Sequence, residues 1–380
     1  MATMEELTAL GHLCLCTLGC TRQSRWKETT QRYLADMLPR NVALQDAVLS
    51  GQYRVSPTTD FPLNERGHLR WIEAPVVSDR VIQKSLMRLV LTPSLRPYVI
   101  YDNYASLAER GTAFARKRLE VHLRRYMQKN GTDGYILLGD IRKYFENVSH
   151  EALKGMIAPR IEREPEDVRG LIHYVIDSSS ETRNGLNLGS EAPQIFAVYY
   201  LHPLDEYVKV VKGVLYYGRY MDDFFVIGRT KEELQALLGE IAGKLAGIGL
   251  EINPKKTQIV RLRHGFTWLQ IKYNITPSGR ILKRMSHGKV ARERRRLKSF
   301  RRLCDEGRMT EADVWECYQS WRGSAVKDHN ACHDTLRRMD ALYASLFPPH
   351  EKQPKALRSA IVRAANREAE TQDLRYCLTI

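Results

Sequence analysis

The stretch RYMDDFFVIG (Arg219–Gly228) places two adjacent carboxylates between apolar runs. VLYY (Val214–Tyr217) precedes it, and the apolar character resumes directly after Asp222 and Asp223. Two like charges in an apolar setting repel each other and are costly to desolvate. The pattern therefore predicts two strands that meet at a bend bearing both acids, where a positive partner or water satisfies them.

A third carboxylate, Asp140, ends the short apolar run YILLGD (Tyr135–Asp140). Such a run is typical of a buried strand that emerges at a site. If this strand lies beside the Arg219–Gly228 segment, three carboxylates converge. Hard divalent cations prefer oxygen ligands, and two such ions can promote phosphoryl transfer. The alternative is a solvated Asp-Asp turn, which the apolar flanks disfavour.

The composition favours a polyanionic partner. The chain has 380 residues, of which 59 are basic and 44 acidic, and its formal net charge is +15. An excess of this size suits nucleic acid first and an anionic membrane surface second. No run approaches the roughly 18 apolar residues of a membrane span, and acids precede the apolar part of the N-terminal segment, unlike in a secretory signal. We therefore expect a cytoplasmic protein.

The order of predicted elements indicates an α+β protein. Residues 1–50 have a helical pattern, and Thr230 begins an amphipathic helix over 230–249. Between 289 and 302 the chain has eight Lys or Arg and one acid, again in a helical pattern. Mixed strands and helices followed by a basic helical segment predict an α+β body with a helical C-terminal module.

Taken together, these motifs resemble those of reverse transcriptases. YMDD between apolar strands is similar to their catalytic hairpin, and GDIRKYFENVSH (Gly139–His150) is similar to their first catalytic motif. GLEINPKKTQIV (Gly249–Val260) resembles the later motif with its lysine, and GFTWL (Gly265–Leu269) resembles the primer-grip hairpin. RWIEAPVVSDRVIQKSL (Arg70–Leu86) is similar to the fingers of bacterial members. The resemblance extends over residues 50–345.

The resemblance implies a right-hand polymerase with fingers, a palm and a helical thumb. The palm would contain an antiparallel sheet with the catalytic β-hairpin. The implied parts are an N-terminal helical extension (1–50), fingers (51–130), a palm with interleaved fingers elements (131–283), a helical thumb (284–347) and a C-terminal tail (348–380).

The resemblance also implies catalytic roles. Asp140, Asp222 and Asp223 would be catalytic and would hold two Mg²⁺ ions, for which Mn²⁺ could substitute. The attacking group would be a primer 3′-hydroxyl, and the leaving group would be pyrophosphate. Lys256 would donate a proton to the pyrophosphate, with Lys255 as the alternative donor.

Seven residues would bind the nucleotide or template. Arg80 would pair with the incoming triphosphate through charge-assisted hydrogen bonds, the alternative being a surface ion pair. Phe145 would pack under the sugar and exclude a 2′-hydroxyl, so that dNTPs are preferred, and it can also serve the core. The others lie in YMDD and in GLNLGSEAPQ: Tyr220, Met221, Leu188, Gly189 and Gln194.

The basic helical run would form a thumb surface for the template–primer backbone. Neutralisation of phosphates gives affinity without sequence information. Trp321, in the same module, is expected to pack in the thumb core rather than to stack on a base. The residues assigned to nucleic-acid binding are Arg292, Arg294, Arg295, Arg296 and Lys298.

The segment GLNLGSEAPQ (Gly185–Gln194) departs from the Pro-Gln-Gly of many reverse transcriptases. Leu188 stands in place of the Gln, which resembles bacterial and phage enzymes of the non-LTR type from diversity-generating retroelements and phage defence. Those enzymes usually have Ser where this chain has Pro193. Loss of an amide beside the templating base predicts reduced fidelity.

Three functions are therefore considered. The first is a Mg²⁺-dependent RNA-directed DNA polymerase that makes cDNA. The second is template-independent or protein-primed DNA synthesis in phage defence, and the third is an inactive nucleic-acid-binding scaffold, which the three carboxylates disfavour. The expected partners are an RNA template, a DNA primer or product, dNTPs, and an accessory protein or non-coding RNA, with no membrane; the protein would be bacterial or phage-encoded.

Overall fold

The computed structural model contains both helices and strands along most of the chain, so the predicted α+β class is confirmed. No helix among the described residues is long and apolar enough to cross a membrane. The predictions for Leu188 and for residues 349–380 lie outside the described part of the chain. The described residues are 1–65, 68–180, 182–187, 189, 191–327 and 333–348.

The described chain forms two compact units. The first comprises Met1–Leu269 with Asn274–Leu282, and the second comprises Gln270–Tyr273 with the described residues from Lys283 onward. The boundaries of fingers, palm and thumb stay predictions.

The first unit begins with helices and a hairpin. A capping box begins its first helix, because Thr3 Oγ1 accepts from the Glu6 amide at 3.2 Å while Glu6 accepts from the Thr3 amide at 3.0 Å. In chain order the elements are α1 (Met4–Thr8), α2 (Leu10–Thr21), α3 (Glu28–Ala35), α4 (Met37–Leu49), the antiparallel strands β1 (Thr59–Glu65) and β2 (His68–Ala74), α5 (Val77–Leu86), α6 (Thr92–Leu95) and α7 (Thr112–Asn130).

A four-stranded antiparallel sheet lies at the centre of the first unit. Its strands and the helices between them are β3 (Tyr135–Asp140), α8 (His150–Ile161), α9 (Glu166–Asp177), α10 (Glu191–Tyr200), α11 (His202–Glu206), β4 (Tyr217–Tyr220), β5 (Asp223–Gly228), α12 (Lys231–Ala246) and β6 (Gln258–Arg261). The strand order is β4–β5–β3–β6, so the two strands that carry the predicted carboxylates are neighbours.

Both faces of this sheet are buried, which explains why β3 and β5 read as continuous apolar runs. Leu137 and Val226 join the main core with residues of α8 to α12. On the other face, the Phe225 ring packs edge-on against His122 of α7 and against Trp268, at centroid distances of 5.7 and 5.0 Å. The carboxylates of β3 and β5 are confined to one end of each strand.

The rest of the chain contains short strands and then helices. The second unit has its own core of Leu297, Val314, Tyr318, Met339 and Phe347, and Trp321 packs against it as expected. The elements are β7 (Phe266–Trp268), β8 (Ile271–Ile275), β9 (Ile281–Met285), α13 (His287–Asp305), α14 (Glu311–Lys327) and α15 (His333–Leu346).

Candidate active site

The adjacent carboxylates lie at a tight turn between β4 and β5. Tyr220 pairs with Asp223 in the ladder, so the loop consists of Met221 and Asp222 alone. Met221 has a φ of 53°, a left-handed conformation that two-residue hairpin turns require but that side-chain-bearing residues rarely adopt. The predicted bend is present with one correction, because Asp223 is the first residue of β5 rather than part of the loop.

The strand register brings the third carboxylate to the same place. Asp140 lies directly opposite Asp223, and residues opposite each other in antiparallel strands carry their side chains on one face. The Ile141 amide donates to the Asp222 carbonyl at 3.3 Å, so the turn is bonded to the end of β3. Asp140 is buried, and Asp222 and Asp223 are half-buried. Like charges placed opposite each other destabilise a sheet, and this site therefore requires positive charge.

Lys256 supplies positive charge to Asp140. Its Nζ donates to Asp140 Oδ2 at 2.8 Å. This hydrogen bond, together with the surrounding carboxylate charges, raises the pKa of Lys256 against the opposing effect of burial. The ammonium is therefore charged at neutral pH and offsets the charge of Asp140.

Asn253 and Thr257, in the same loop as Lys256, also bind Asp140, and the sequence did not predict either contact. Asn253 Nδ2 donates to Asp140 Oδ1 at 2.7 Å, and the Asn253 amide donates to the Asp140 carbonyl at 2.7 Å. The Asp140 amide donates to Thr257 Oγ1 at 3.3 Å. Lys255, the alternative proton donor, bonds Asn253 Oδ1 through its backbone amide at 3.2 Å. The one feature of the sequence that could have indicated these contacts is the polar run NPKKT, which follows an apolar segment.

The donor chemistry of the site suits a divalent cation. Within the described ranges, no group of three or more His, Cys, Asp or Glu side chains is arranged to hold a metal ion. Asp140 and Asp223 nevertheless face the same side of the sheet, and the Lys256 ammonium, itself a cation, is bonded to Asp140. Mg²⁺ and Mn²⁺ prefer carboxylate oxygens of this kind.

A buried ion pair that the sequence did not predict supports the hairpin. Arg219 and Asp205 are both buried, and the shortest distance between their charged groups is 2.5 Å. Arg219 also donates from Nη1 to the Met221 carbonyl at 3.0 Å. The turn that carries Asp222 is therefore bonded to a buried cation.

The segment that contains the departing motif lies beside the chain after Asp140. The Leu186 amide donates to the Phe145 carbonyl at 2.8 Å, and the Gly185 amide donates to the Val148 carbonyl at 2.9 Å. Phe145 is half-buried and packs against the main core. The core role expected for Phe145 is therefore present, and its contact with a sugar stays a prediction.

Arg80 and Gly189, both predicted substrate contacts, line one cleft with a volume of 1330 Å³. Its walls are α3, α4, β1, β2 and the start of α5. The Arg80 guanidinium donates to the Cys20 carbonyl, so its predicted triphosphate contact competes with a bond inside the protein. At Gly189, a Cβ would overlap the Glu73 carbonyl oxygen, so packing alone requires glycine there.

Gln194 is hydrogen-bonded within the protein, and Tyr220 is partly buried, although both were predicted to contact substrate. Gln194 Oε1 accepts from Ser106 Oγ at 3.0 Å. Tyr220 is half-buried, and burial raises its pKa. Their contacts with nucleotide or template stay predictions.

The sequence of residues 60–273 matches the family model described as reverse transcriptase (RNA-dependent DNA polymerase). The match covers more than half of the 380-residue chain. The chain belongs to the reverse transcriptase family. The matched segment contains Asp140, Asp222, Asp223 and Lys256.

Solved telomerase structures are similar to this reverse transcriptase family member. Apo telomerase from Candida tropicalis, truncated from its C-terminal domain, aligns with a TM-score of 0.46 and 15% identity over 60% of this chain and 56% of that chain. Telomerase from Candida albicans in complex with a TWJ fragment of telomeric RNA aligns with a TM-score of 0.48 and 13% identity over 82% and 58%. This chain thus spans less than two thirds of these structures. No curated protein matches the chain in sequence.

The basic residues predicted to bind nucleic acid lie on α13 in the second unit of this reverse transcriptase family member. Leu297 and Glu293 face the interior of that unit, and burial raises the pKa of the Glu293 carboxyl. The helix therefore has a buried side and a basic exposed side that can neutralise phosphates. The exposed residues are Arg292, Arg294, Arg295, Arg296 and Lys298.

Proposed function

We propose that the chain is an RNA-directed DNA polymerase that makes cDNA by nucleotidyl transfer at Asp140, Asp222 and Asp223. The observation that carries the proposal is the register that places Asp140 opposite Asp223, with Asp222 in the adjoining turn. Membership of the reverse transcriptase family supports it. Two Mg²⁺ or Mn²⁺ ions held by these carboxylates would activate the attacking oxygen and stabilise the leaving oxygen.

Other residues would bind and orient the reactants. Lys256 would give its proton to the pyrophosphate, and the 2.8 Å contact of its Nζ with Asp140 supports this role because it places the ammonium beside the carboxylates. Arg80, Tyr220, Met221, Gly189 and Gln194 would contact nucleotide or template. Phe145 would select dNTPs, and the exposed face of α13 would bind the template–primer backbone.

The test is a homopolymer extension assay with both RNA template and DNA primer, with each strand alone, and with neither. Incorporation of dNTPs that requires both strands supports the proposal. Incorporation without template indicates template-independent or protein-primed synthesis instead. Nucleic-acid binding without incorporation at any Mg²⁺ or Mn²⁺ concentration indicates an inactive scaffold.

We also propose that the enzyme belongs to a bacterial or phage diversity-generating or defence system and copies with reduced fidelity. Leu188 and Gln194, in the motif that departs from Pro-Gln-Gly, support this. Its partners would be an RNA template, a DNA primer or product, dNTPs, and an accessory protein or non-coding RNA. Sequenced cDNA from a defined template should show more errors than that of a Pro-Gln-Gly enzyme, and Leu188→Gln should lower them. Equal error rates with no effect of Leu188→Gln would refute the fidelity proposal.

A further inference from the structure

Arg219, two residues before Met221, is fully buried at 0% exposure, and Asp205 of α11 is 1% exposed. Charges buried to this extent are costly unless they are paired and hydrogen-bonded. Arg219 Nε lies 2.8 Å from Asp205 Oδ1, and Nη2 lies 2.5 Å from Oδ2, which is the bidentate geometry of a strong pair. The Tyr217 hydroxyl donates a further bond to Asp205 Oδ1 at 2.6 Å.

The guanidinium also binds two backbone carbonyls outside the pair. Nη1 donates to the Met221 carbonyl in the turn at 3.0 Å, and Nη2 donates to the Val198 carbonyl of α10 at 3.0 Å. α10 contains Gln194, a predicted nucleotide contact. One side chain therefore connects the turn of the catalytic hairpin to the helix of the predicted nucleotide motif.

The backbone of Arg219 is fixed as well. Its amide donates to the Asp102 carbonyl at 2.9 Å, and its carbonyl accepts from the Tyr104 amide at 2.9 Å. A Cβ at the neighbouring Gly218 would overlap the Tyr104 hydroxyl, so this close approach requires glycine. The backbone and the side chain of Arg219 are thus both fixed by hydrogen bonds. The turn that follows contains Met221, whose φ is uncommon for a residue with a side chain.

Arg219 stays charged. Burial alone would lower the pKa of Arg219, but the charge and hydrogen bonds of Asp205 outweigh burial and raise it. Arg219 therefore does not titrate near neutral pH, and its effect on the site is one of geometry.

Stability alone is a poor reason for such a pair, because apolar residues of similar volume often replace buried ion pairs without loss of stability. A left-handed residue such as Met221 persists only where its surroundings enforce that conformation. We propose that Arg219 is a positioning residue, which together with Asp205 holds the Met221 carbonyl and so orients Asp222 relative to Asp140. This inference rests on the catalytic role proposed above for the carboxylates.

The test replaces the pair without leaving a buried charge. The triple variant Asp205→Leu/Tyr217→Phe/Arg219→Leu removes the ion pair and the bond to the Met221 carbonyl together. Arg219→Lys keeps the positive charge but loses the planar fork. Ile172→Ala, at a buried position of α9, is the control for lost core packing.

Each protein is examined by thermal unfolding, template–primer affinity, kcat and half-saturating Mg²⁺ concentration. A second readout needs no activity: NMR of the protein with ¹³C-methyl methionine, in which Met221→Leu assigns the Met221 signal. The triple variant should fold and bind template–primer normally, with kcat lowered roughly tenfold to 100-fold, as small misplacements of reacting groups cause. Its half-saturating Mg²⁺ concentration should rise and its Met221 signal should shift. Ile172→Ala should change only the unfolding temperature.

A folded triple variant with wild-type kcat and an unshifted Met221 signal would overturn the inference. If that variant does not fold, Arg219→Lys decides: it should lower kcat at unchanged template–primer affinity, and an unchanged kcat would overturn the inference. If the wild-type protein does not polymerise, the proposed function fails, and the Met221 signal still decides whether Arg219 positions the turn.

Discussion

The Lys256 ammonium lies 2.8 Å from Oδ2 of Asp140 and is the predicted proton donor bonded to a predicted metal ligand. Asn253 and Thr257 of the same loop bond the other polar groups of Asp140. Lys256 thus has two tasks in the proposed function: it neutralises Asp140 in the protein without nucleotide, and it protonates the pyrophosphate.

Lys256→Met should lower the rate of single-nucleotide incorporation by about 10²-fold, because general acid catalysis typically contributes 10²–10⁴-fold. The measurement is single-turnover incorporation at saturating dNTP. Lys255→Met is the matched control and should stay close to the wild type, because the Lys255 contact with Asn253 comes from the backbone. Loss of rate in Lys255→Met with full rate in Lys256→Met would assign the proton donor to Lys255.

Gly139→Ala should destabilise the protein by about 1–3 kcal/mol, the usual cost of overpacking a core. A Cβ at Gly139 would overlap the ring of Phe224, its partner on β5. The measurement is the free energy of unfolding in urea. Gly139→Ala/Phe224→Leu should recover part of the loss, since the smaller side chain makes room.

The control for Gly139 is Gly155→Ala in α8, where a Cβ would meet no atom within 4 Å. It should stabilise the protein by about 0.5–1 kcal/mol through helix propensity. Equal effects of the two glycine substitutions would show that the close approach at Gly139 is unimportant.

How far the sequence could predict the site depended on whether the signal was local. The runs YILLGD and RYMDDFFVIG contain their own evidence for strands and a bend, so the sequence could predict that Asp140 lies near the turn that carries Asp222 and near Asp223. The Arg219–Asp205 pair was not found, because Asp205 lies in an ordinary helical segment and only the packing of α11 against β4 brings the two together. Asn253 was missed for the same reason, since its partner Asp140 is 113 positions away.

The exact loop residues of the hairpin were also missed. Alternation and polarity favoured a bend at the two acids, whereas the ladder pairs Tyr220 with Asp223 and leaves Met221 in the turn. Sequence patterns do not predict a left-handed Met, because residues other than glycine, Asn and Asp rarely adopt that conformation.

Asp102→Asn should reduce the free energy of unfolding by about 3 kcal/mol near neutral pH, as for other disrupted buried ion pairs. Burial alone would raise the pKa of Asp102. The contacts with His122, Lys209 and Arg118 outweigh burial, so the pKa is lowered. A lowered folded-state pKa stabilises the protein above the unfolded pKa of about 3.9, and the effect declines as pH falls below it.

Urea denaturation of wild type and Asp102→Asn between pH 3.5 and 8 measures this dependence. The difference should be constant above about pH 5 and should shrink below about pH 4. Asp177→Asn is the control. The Asp177 side chain pairs with Lys154 but is 54% exposed, so this pair should contribute at most about 1 kcal/mol. A difference for Asp102→Asn that grows as pH falls would contradict the account.

Arg292→Gln and Arg295→Gln should each weaken binding of template–primer duplex and reduce the slope of log affinity against log salt by about one. Both residues are exposed on α13. Arg301→Gln in the same helix is the control, because its guanidinium bonds Asp305 and Glu311 at 2.6 and 2.9 Å. It should lower the unfolding temperature and leave the salt slope unchanged. If Arg292→Gln and Arg295→Gln both keep the wild-type salt slope, as Arg301→Gln should, the exposed face of α13 does not bind phosphates.

The central claim is that Asp140, Asp222 and Asp223 form the site of nucleotidyl transfer. The most direct measurement is template-directed dNTP incorporation by Asp222→Ala and by wild type at saturating Mg²⁺, with Glu232→Ala, an exposed acid of α12, as the control. We expect a loss of at least about 10³-fold in Asp222→Ala, which corresponds to several kcal/mol of transition-state stabilisation, and no loss in Glu232→Ala. Full incorporation by Asp222→Ala would contradict the claim.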